Sequence, residues 1–247
     1  MSPLLEARGL MKAFGGIRAV DDVNLVLEAG LIWALIGPNG AGKTTLFNLL
    51  TGHLRPDAGS IRFDGTEIGG RPPYAIWRRG LSRTFQIPAV FGSLTVLENL
   101  QIPLLSRAGR TLDLLRPPPP VTREQAREML QRVGLSDQAS RPASLLPYGD
   151  LKRLGLALAL VSQPRLLLLD EPTAGMAPPE RRALMELIER TVQTLGVTLL
   201  FTEHDMDVVF AIAQRVMVLH QGRVIAEGTP KEVRATPEVQ AIYLGER

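Results

Sequence analysis

The residue types that could do chemistry concentrate first in Gly37-Pro38-Asn39-Gly40-Ala41-Gly42-Lys43-Thr44-Thr45. Gly37, Gly42, Lys43 and Thr44 satisfy G-x-x-x-x-G-K-[ST], a phosphate-binding loop. Holding a phosphate through several backbone N–H groups requires bare backbone, and Gly40 and Gly42 are expected to leave that room. A helix starting near Gly42 turns its free N–H groups and positive dipole end toward the anion. Lys43 adds a full positive charge for the β- and γ-phosphates, and the Thr44 hydroxyl is the expected inner ligand of Mg²⁺. A glycine turn that merely joins strand to helix would not need all of these positions at once.

A second group of reactive side chains lies downstream. Four leucines, Leu166 to Leu169, run into Asp170 and Glu171. An apolar strand of this kind delivers Asp170 to a sheet edge beside the phosphate loop as a metal partner, and Glu171 is expected to act as general base or water-polarising group. Gln86, which can accept from and donate to water and metal together, suits a sensor of the γ-phosphate. His204 ends a strand expected beside that of Asp170, where its imidazole could donate to a γ-phosphate oxygen. His53 reads as a loop residue and His220 has no supporting pattern. Phe14, beside the Gly15-Gly16 turn, could stack on an adenine ring, although a Phe in such a place is more often core.

Positioning these groups requires an α/β fold. Leu4 to Gly9, Val20 to Leu27 and Leu31 to Ile36 read as strands, Ser60 to Phe63 as a short strand before an Asp64-Gly65 hairpin, and Leu81 to Phe85 as a strand ending at Gln86. Pro73 to Arg79 reads as a short helix. From Ile87 helical periodicity takes over, with a helix from Thr95 to Pro103. Arg116 to Pro120 is expected to be a stiff extended connector, and Thr122 with Gln125 a capping box that starts a helix ending at Gly134. Residues of roughly 87 to 160 form a helical subdomain inserted in a core of roughly 1 to 86 and 161 to 247. The pattern then alternates: strand 166 to 170, helix Pro179 to Leu195, strand Thr198 to Thr202, a Gln221-Gly222 hairpin and a helical tail from Pro230 to Leu244. Such alternation predicts a mostly parallel sheet with the site at the C-terminal strand ends.

Bulk properties bound the function. The 247 residues are 45% hydrophobic and 21% charged, enough for a sizeable core. With a net charge of +3 and no basic block interleaved with aromatics, nucleic acid is not an expected partner. The absence of Cys excludes disulfides, thiol catalysis and Cys-based zinc sites. No signal peptide is read at the start, and no apolar run approaches the ~20 residues that span a bilayer. A cytoplasmic protein is expected, and a transport role would need a separate membrane-spanning partner.

These pieces, in this order, resemble an ATP-binding-cassette (ABC) transporter ATPase: aromatic loop at Phe14, Walker A at Gly37 to Thr45, Q-loop at Gln86, signature at Leu146 to Asp150, Walker B at Leu166 to Asp170, then Glu171 and the switch His204. The resemblance implies a P-loop NTPase core with a mixed sheet, an antiparallel β arm and an inserted helical subdomain. It implies Mg·ATP sandwiched between two such subunits, identical or paralogous, with Tyr148 and Gly149 of one signature facing the nucleotide of the other. Closure would drive membrane permease chains docked on the inner face of the membrane. Phe14-Gly15-Gly16, Arg83-Thr84-Phe85-Gln86, Tyr148-Gly149, Glu203-His204-Asp205-Met206 and the ending Ala241 to Glu246 are similar to the branched-chain (hydrophobic) amino acid import branch, in which an extracytoplasmic binding protein supplies the ligand. Amide or urea importers and lipopolysaccharide exporters look similar, and a non-transport assembly ATPase or a nucleotide-binding regulatory module are readings from other classes.

Departures from the family pattern carry an expectation of their own. The usual L-S-G-G-Q is Leu146-Pro147-Tyr148-Gly149-Asp150, and Ala177 stands where Asp is usual. Pro147 removes a hydroxyl and an N–H from the surface that would face the partner's γ-phosphate, and Asp150 adds negative charge there. The site completed by this signature is expected to be weak, and the site holding this chain's own Walker motifs competent.

Overall fold

The computed structural model describes residues 3–84, 89–110 and 118–244. Strands β1 (Leu5–Phe14), β2 (Ile17–Leu27), β4 (Ala58–Phe63) and β5 (Thr66–Glu67) form an antiparallel sheet in the order β2-β1-β4-β5. A second sheet, ordered β10-β9-β3-β8-β7-β6, joins β3 (Ile32–Ile36), β6 (Leu81–Arg83), β7 (Leu166–Asp170), β8 (Thr198–Thr202), β9 (Arg215–His220) and β10 (Arg223–Gly228). Its pairs are parallel except that of β9 with β10. The helices are α1 (Lys43–Leu50), α2 (Pro73–Arg78), α3 (Val96–Arg107), α4 (Pro120–Val133), α5 (Tyr148–Leu160), α6 (Pro178–Leu195), α7 (Met206–Ile212), α8 (Pro230–Ala235) and α9 (Pro237–Leu244).

The central strands read as near-continuous apolar runs because both faces of the sheet are covered. Alternation divides their side chains between two cores. Ile32, Ala34, Ile36, Leu167, Leu169, Leu199 and Phe201 join the core shared with α3 to α7. Trp33, Leu35, Leu166, Leu168 and Leu200 face α1 and the antiparallel sheet. Each fully buried aliphatic side chain contributes about 1.5–3 kcal/mol. The parallel register brings Asp170 opposite Thr202, so the ends of β7 and β8 share one edge.

Several local expectations need correction. β1 runs on to Phe14, because it pairs with both β2 and β4 through bulges. α3 does not end at Pro103 but continues to Arg107. Leu104 is buried and Arg107 Nη1 donates to the Ser162 carbonyl, so packing outweighs the missing N–H of the proline. Pro120 is not part of an extended connector; it is the first residue of α4, where a proline loses no hydrogen bond. Thr122 therefore does not cap that helix. Its hydroxyl donates to Pro119 O at 2.7 Å and accepts from Gln101 Nε2 at 3.3 Å, tying α4 to α3. The tail is two helices rather than one, broken at Thr236 before Pro237. Phe85 and the Pro-rich stretch up to residue 117 lie outside the described residues.

Candidate active site

The phosphate loop joins the end of β3 to α1. Gly42 precedes the helix at φ 106°, with no side chain capping it and no acidic residue in the first turn, so the N–H groups there are open to an anion. The glycines divide the work differently from the expectation. A Cβ on Gly40 would meet nothing within 4 Å, whereas one on Gly42 would lie 2.2 Å from Ala19 O and one on Gly37 2.2 Å from Leu219 O. Gly40 leaves room for a ligand; Gly37 and Gly42 leave room for the protein's own backbone. The side chain of Lys43 is buried, and its Nζ donates to Gly37 O at 2.6 Å and Pro38 O at 3.0 Å, crossing the loop that Asn39 and Ala41 complete. Burial holds the Lys43 ammonium below its ordinary pKa, opposed first by Glu171 and then by Asp170, whose carboxylates lie near enough to favour the cation. Thr44 is exposed and Thr45 partly so.

Asp170 and Glu171 take different positions because the chain turns between them. Asp170 ends β7 inside the ladder, while Glu171 lies at φ 47°, in the left-handed region that a non-glycine residue enters at a cost. The Glu171 N–H donates to Thr202 O at 3.2 Å and Thr202 Oγ1 at 3.1 Å, which holds that conformation. Its carboxylate Oε1 is 2.6 Å from His204 Nε2. Asp170 Oδ2 accepts from Arg83 Nη2 at 2.7 Å and Oδ1 from Thr202 Oγ1 at 3.0 Å. Buried Glu203 accepts from Thr173 N at 2.9 Å and Thr173 Oγ1 at 2.7 Å through Oε1, and from His204 N at 3.3 Å through Oε2. The loop after β7 and the His204 backbone are thus tied together. A cavity of about 380 Å³ is bordered by Gly37, Pro38 and Asn39 of the phosphate loop and by Glu203 and His204.

The remaining candidates lie around this centre. Pro147 is the residue before α5, at φ −56° and ψ 155°, not within its first turn. The half-exposed Tyr148 donates its hydroxyl to Ala174 O at 2.9 Å, and a Cβ on Gly149 would sit 3.9 Å from Met176 Cε, so the signature rests on the loop that follows Glu171. Asp150 lies 3.9 Å from Arg153. Ala177 leads into α6, and its N–H donates to Glu180 Oε2 at 3.4 Å. Phe14 ends β1 about half exposed, with Lys12 Nζ 5.6 Å from its ring centroid, so it is not a core residue. Gln86 lies outside the described residues. His53 accepts or donates at Thr51 Oγ1, 3.0 Å away, at the edge of a groove of about 460 Å³ lined also by Tyr74, Trp77, Arg83 and Phe91.

Sequence reasoning did not single out Arg83, Thr202 or Glu203 as parts of the site. The available signals are a cation at the end of β6, a carboxylate directly after β8 and a hydroxyl opposite Asp170.

Sheet order, phosphate loop and paired carboxylates define an ATP-binding cassette, and comparison with known proteins agrees. Residues 20–174 match the ABC transporter family and residues 223–247 the branched-chain amino acid ATP-binding cassette transporter family. The chain belongs to the ABC transporter family. It is 43% identical to the high-affinity branched-chain amino acid transport ATP-binding protein LivG of Escherichia coli (strain K12), over 99% of this chain and 98% of LivG. It is 41% identical to BraF of Pseudomonas aeruginosa, a protein of the same description, over the same shares. Among solved structures, the ADP conformation of MJ1267, an ATP-binding cassette of an ABC transporter, superposes with a TM-score of 0.87 at 32% identity, covering 99% of this chain and all of that one. The function is that of an ATP-binding subunit whose ATPase activity energises a transporter.

Proposed function

We propose that this chain hydrolyses Mg·ATP to drive import of branched-chain or other hydrophobic amino acids through separate membrane permease chains. Full-length likeness to LivG, with the tail matching its own branch-specific family, is the observation that carries this reading. Among the described residues no helix is long and apolar enough to cross a membrane, which supports separate permease chains met at the cytoplasmic face. The groove between α2 and α3, with exposed Tyr74 and Phe91, is suited to receive a permease segment. The helical stretch of roughly 87 to 160, whose α3, α4 and α5 pack on one another, is proposed as the subdomain that carries that groove's outer wall.

In the proposed reaction a water oxygen attacks the γ-phosphorus, the bond to the bridging oxygen of ADP breaks, and Glu171 takes the water's proton. His204 orients Glu171, and Lys43 and the loop N–H groups hold the phosphates. Thr44 and Asp170 would hold Mg²⁺. The donor set fits that ion, since both are hard oxygen ligands. When bound, Mg²⁺ would supply neutralisation of the charge on the transferring phosphate. Phe14 is proposed as the adenine platform, Gln86 as the link to metal and permease, and Tyr148-Gly149 as the face offered to the nucleotide of a second ATPase subunit. An extracytoplasmic solute-binding protein would deliver the amino acid.

The test is amino acid uptake and ATP turnover in vesicles carrying the permease chains and the paired ATPase. Uptake of radiolabelled leucine that requires this chain and stops with Lys43→Ala is expected. ATP turnover without uptake of any aliphatic amino acid would remove the cargo assignment.

A further inference from the structure

Arg83 ends the short strand β6, three residues before Gln86, yet its side chain is only 6% exposed. Both terminal nitrogens of this buried guanidinium are engaged. Nη2 meets Asp170 Oδ2 at 2.7 Å, and Nη1 meets Asn48 Oδ1 at 2.6 Å with Thr51 Oγ1 at 3.4 Å. The plane lies over Phe47, 5.5 Å from the ring centroid. One side chain therefore spans the helix that follows the phosphate loop, the strand that leads to Gln86 and the carboxylate at the end of β7. The two acceptors are met by two different nitrogens of one rigid planar fork, a geometry that the single nitrogen of an ammonium does not reproduce. The same side chain lines the groove of Tyr74 and Phe91.

We propose that Arg83 is a positioning residue for the Asp170 carboxylate, fixing its orientation against α1 and making it sensitive to the wall of the groove. This rests on Asp170 serving Mg²⁺. Thr202 holds the other oxygen, so Asp170 is oriented at both, as carboxylates that serve metals commonly are.

The experiment measures how much Mn²⁺ tightens binding of a non-hydrolysable ATP analogue, from titrations of the full chain with Mn²⁺ and with chelator. Wild type, Arg83→Met, Arg83→Lys and Asn48→Ala are compared. The tightening factor is expected to fall about tenfold in Arg83→Met, the usual loss when a group behind a metal ligand is removed. A smaller fall is expected in Arg83→Lys. Asn48→Ala, which keeps the ion pair and loses one anchor of the fork, guards against misfolding of the Arg83 variants and should fall in the same direction. A factor unchanged or increased in the variants overturns the inference: the first would make Arg83 a structural brace, the second a mere competitor of the ion. Absence of tightening in wild type would instead remove the Mg·ATP reading, and this inference with it.

Discussion

Glu171 Oε1 and His204 Nε2 are 2.6 Å apart, and both backbones are anchored to the same short edge: Glu171 to Thr202 and His204 to Glu203. The two side chains are therefore in direct contact, and on the proposed reaction they act as one unit. Glu171→Gln is expected to lower ATP turnover of the assembled transporter at least a hundredfold, the scale of general-base catalysis. His204→Ala should lower it in the same direction. Because the groups touch, the double variant should be no slower than the worse single variant. Turnover numbers that multiply would show two independent roles.

Gly40 and Gly42 should separate stability from binding. Gly42→Ala drives a methyl into Ala19 O, at a backbone conformation (φ 106°) that alanine resists. A loss of about 2–4 kcal/mol in urea unfolding is expected, at the severe end for a single substitution. Gly40→Ala meets open space at φ 78°, so about 1 kcal/mol of strain is expected, with ATP binding weakened far more than folding. Equal destabilisation by the two would refute the division.

Asp21 gives a pH signature. Arg223 meets one of its oxygens through Nε and Nη2 at 2.9 and 2.6 Å, and Arg18 meets the other at 3.0 Å. The Arg223 hydrogen bonds, against the cost of burial and with help from Arg18, hold its carboxyl below the ordinary 3.8. The unfolded chain takes up that proton first, so the contribution is present above about pH 3.8 and fades as pH falls through the lower folded value. Asp21→Asn should be less stable than wild type at neutral pH, with the difference shrinking in acid. Thermal unfolding across that range checks it, and a difference that widens on acidification would contradict it.

The signature departures predict an asymmetric motor. Pro147→Ser with Asp150→Gln restores a hydroxyl and an N–H and removes a negative charge from the surface offered to the partner's nucleotide. Turnover at the site completed by this signature should rise, by about tenfold if one charge-assisted hydrogen bond is regained in the transition state. Single-turnover hydrolysis with the partner's own Walker site intact and Glu171→Gln in this chain isolates that site. No change would mean that the α5 N–H groups already suffice.

What was legible in the sequence follows from range. The phosphate loop, the apolar run into Asp170 and the turn at Asp64-Gly65 are each specified within a few neighbouring residues, and the structure keeps their bounds. The extent of β1, the passage of α3 through Pro103 and the start of α4 at Pro120 are decided by distant packing, which overrides local propensity. Arg83 illustrates the same limit within the site, since its acceptors at Asn48 and Asp170 lie 35 and 87 residues away. The clearance that Gly42 provides is not legible locally either, because the obstacle it avoids, Ala19 O, belongs to another strand.

The turn between β9 and β10 sits against the phosphate loop. Gly222 N donates to Ala41 O at 2.9 Å, and Gly222 O accepts from Asp21 N at 2.9 Å. The residue that begins the branch-specific tail match, Arg223, clamps that same Asp21. For protein engineering this defines a cassette boundary. A chimera that grafts the tail of a different importer at this turn would replace part of the frame around the nucleotide. Segments 19–22, 37–43 and 219–223 should therefore be exchanged together, as a single block joined by these hydrogen bonds.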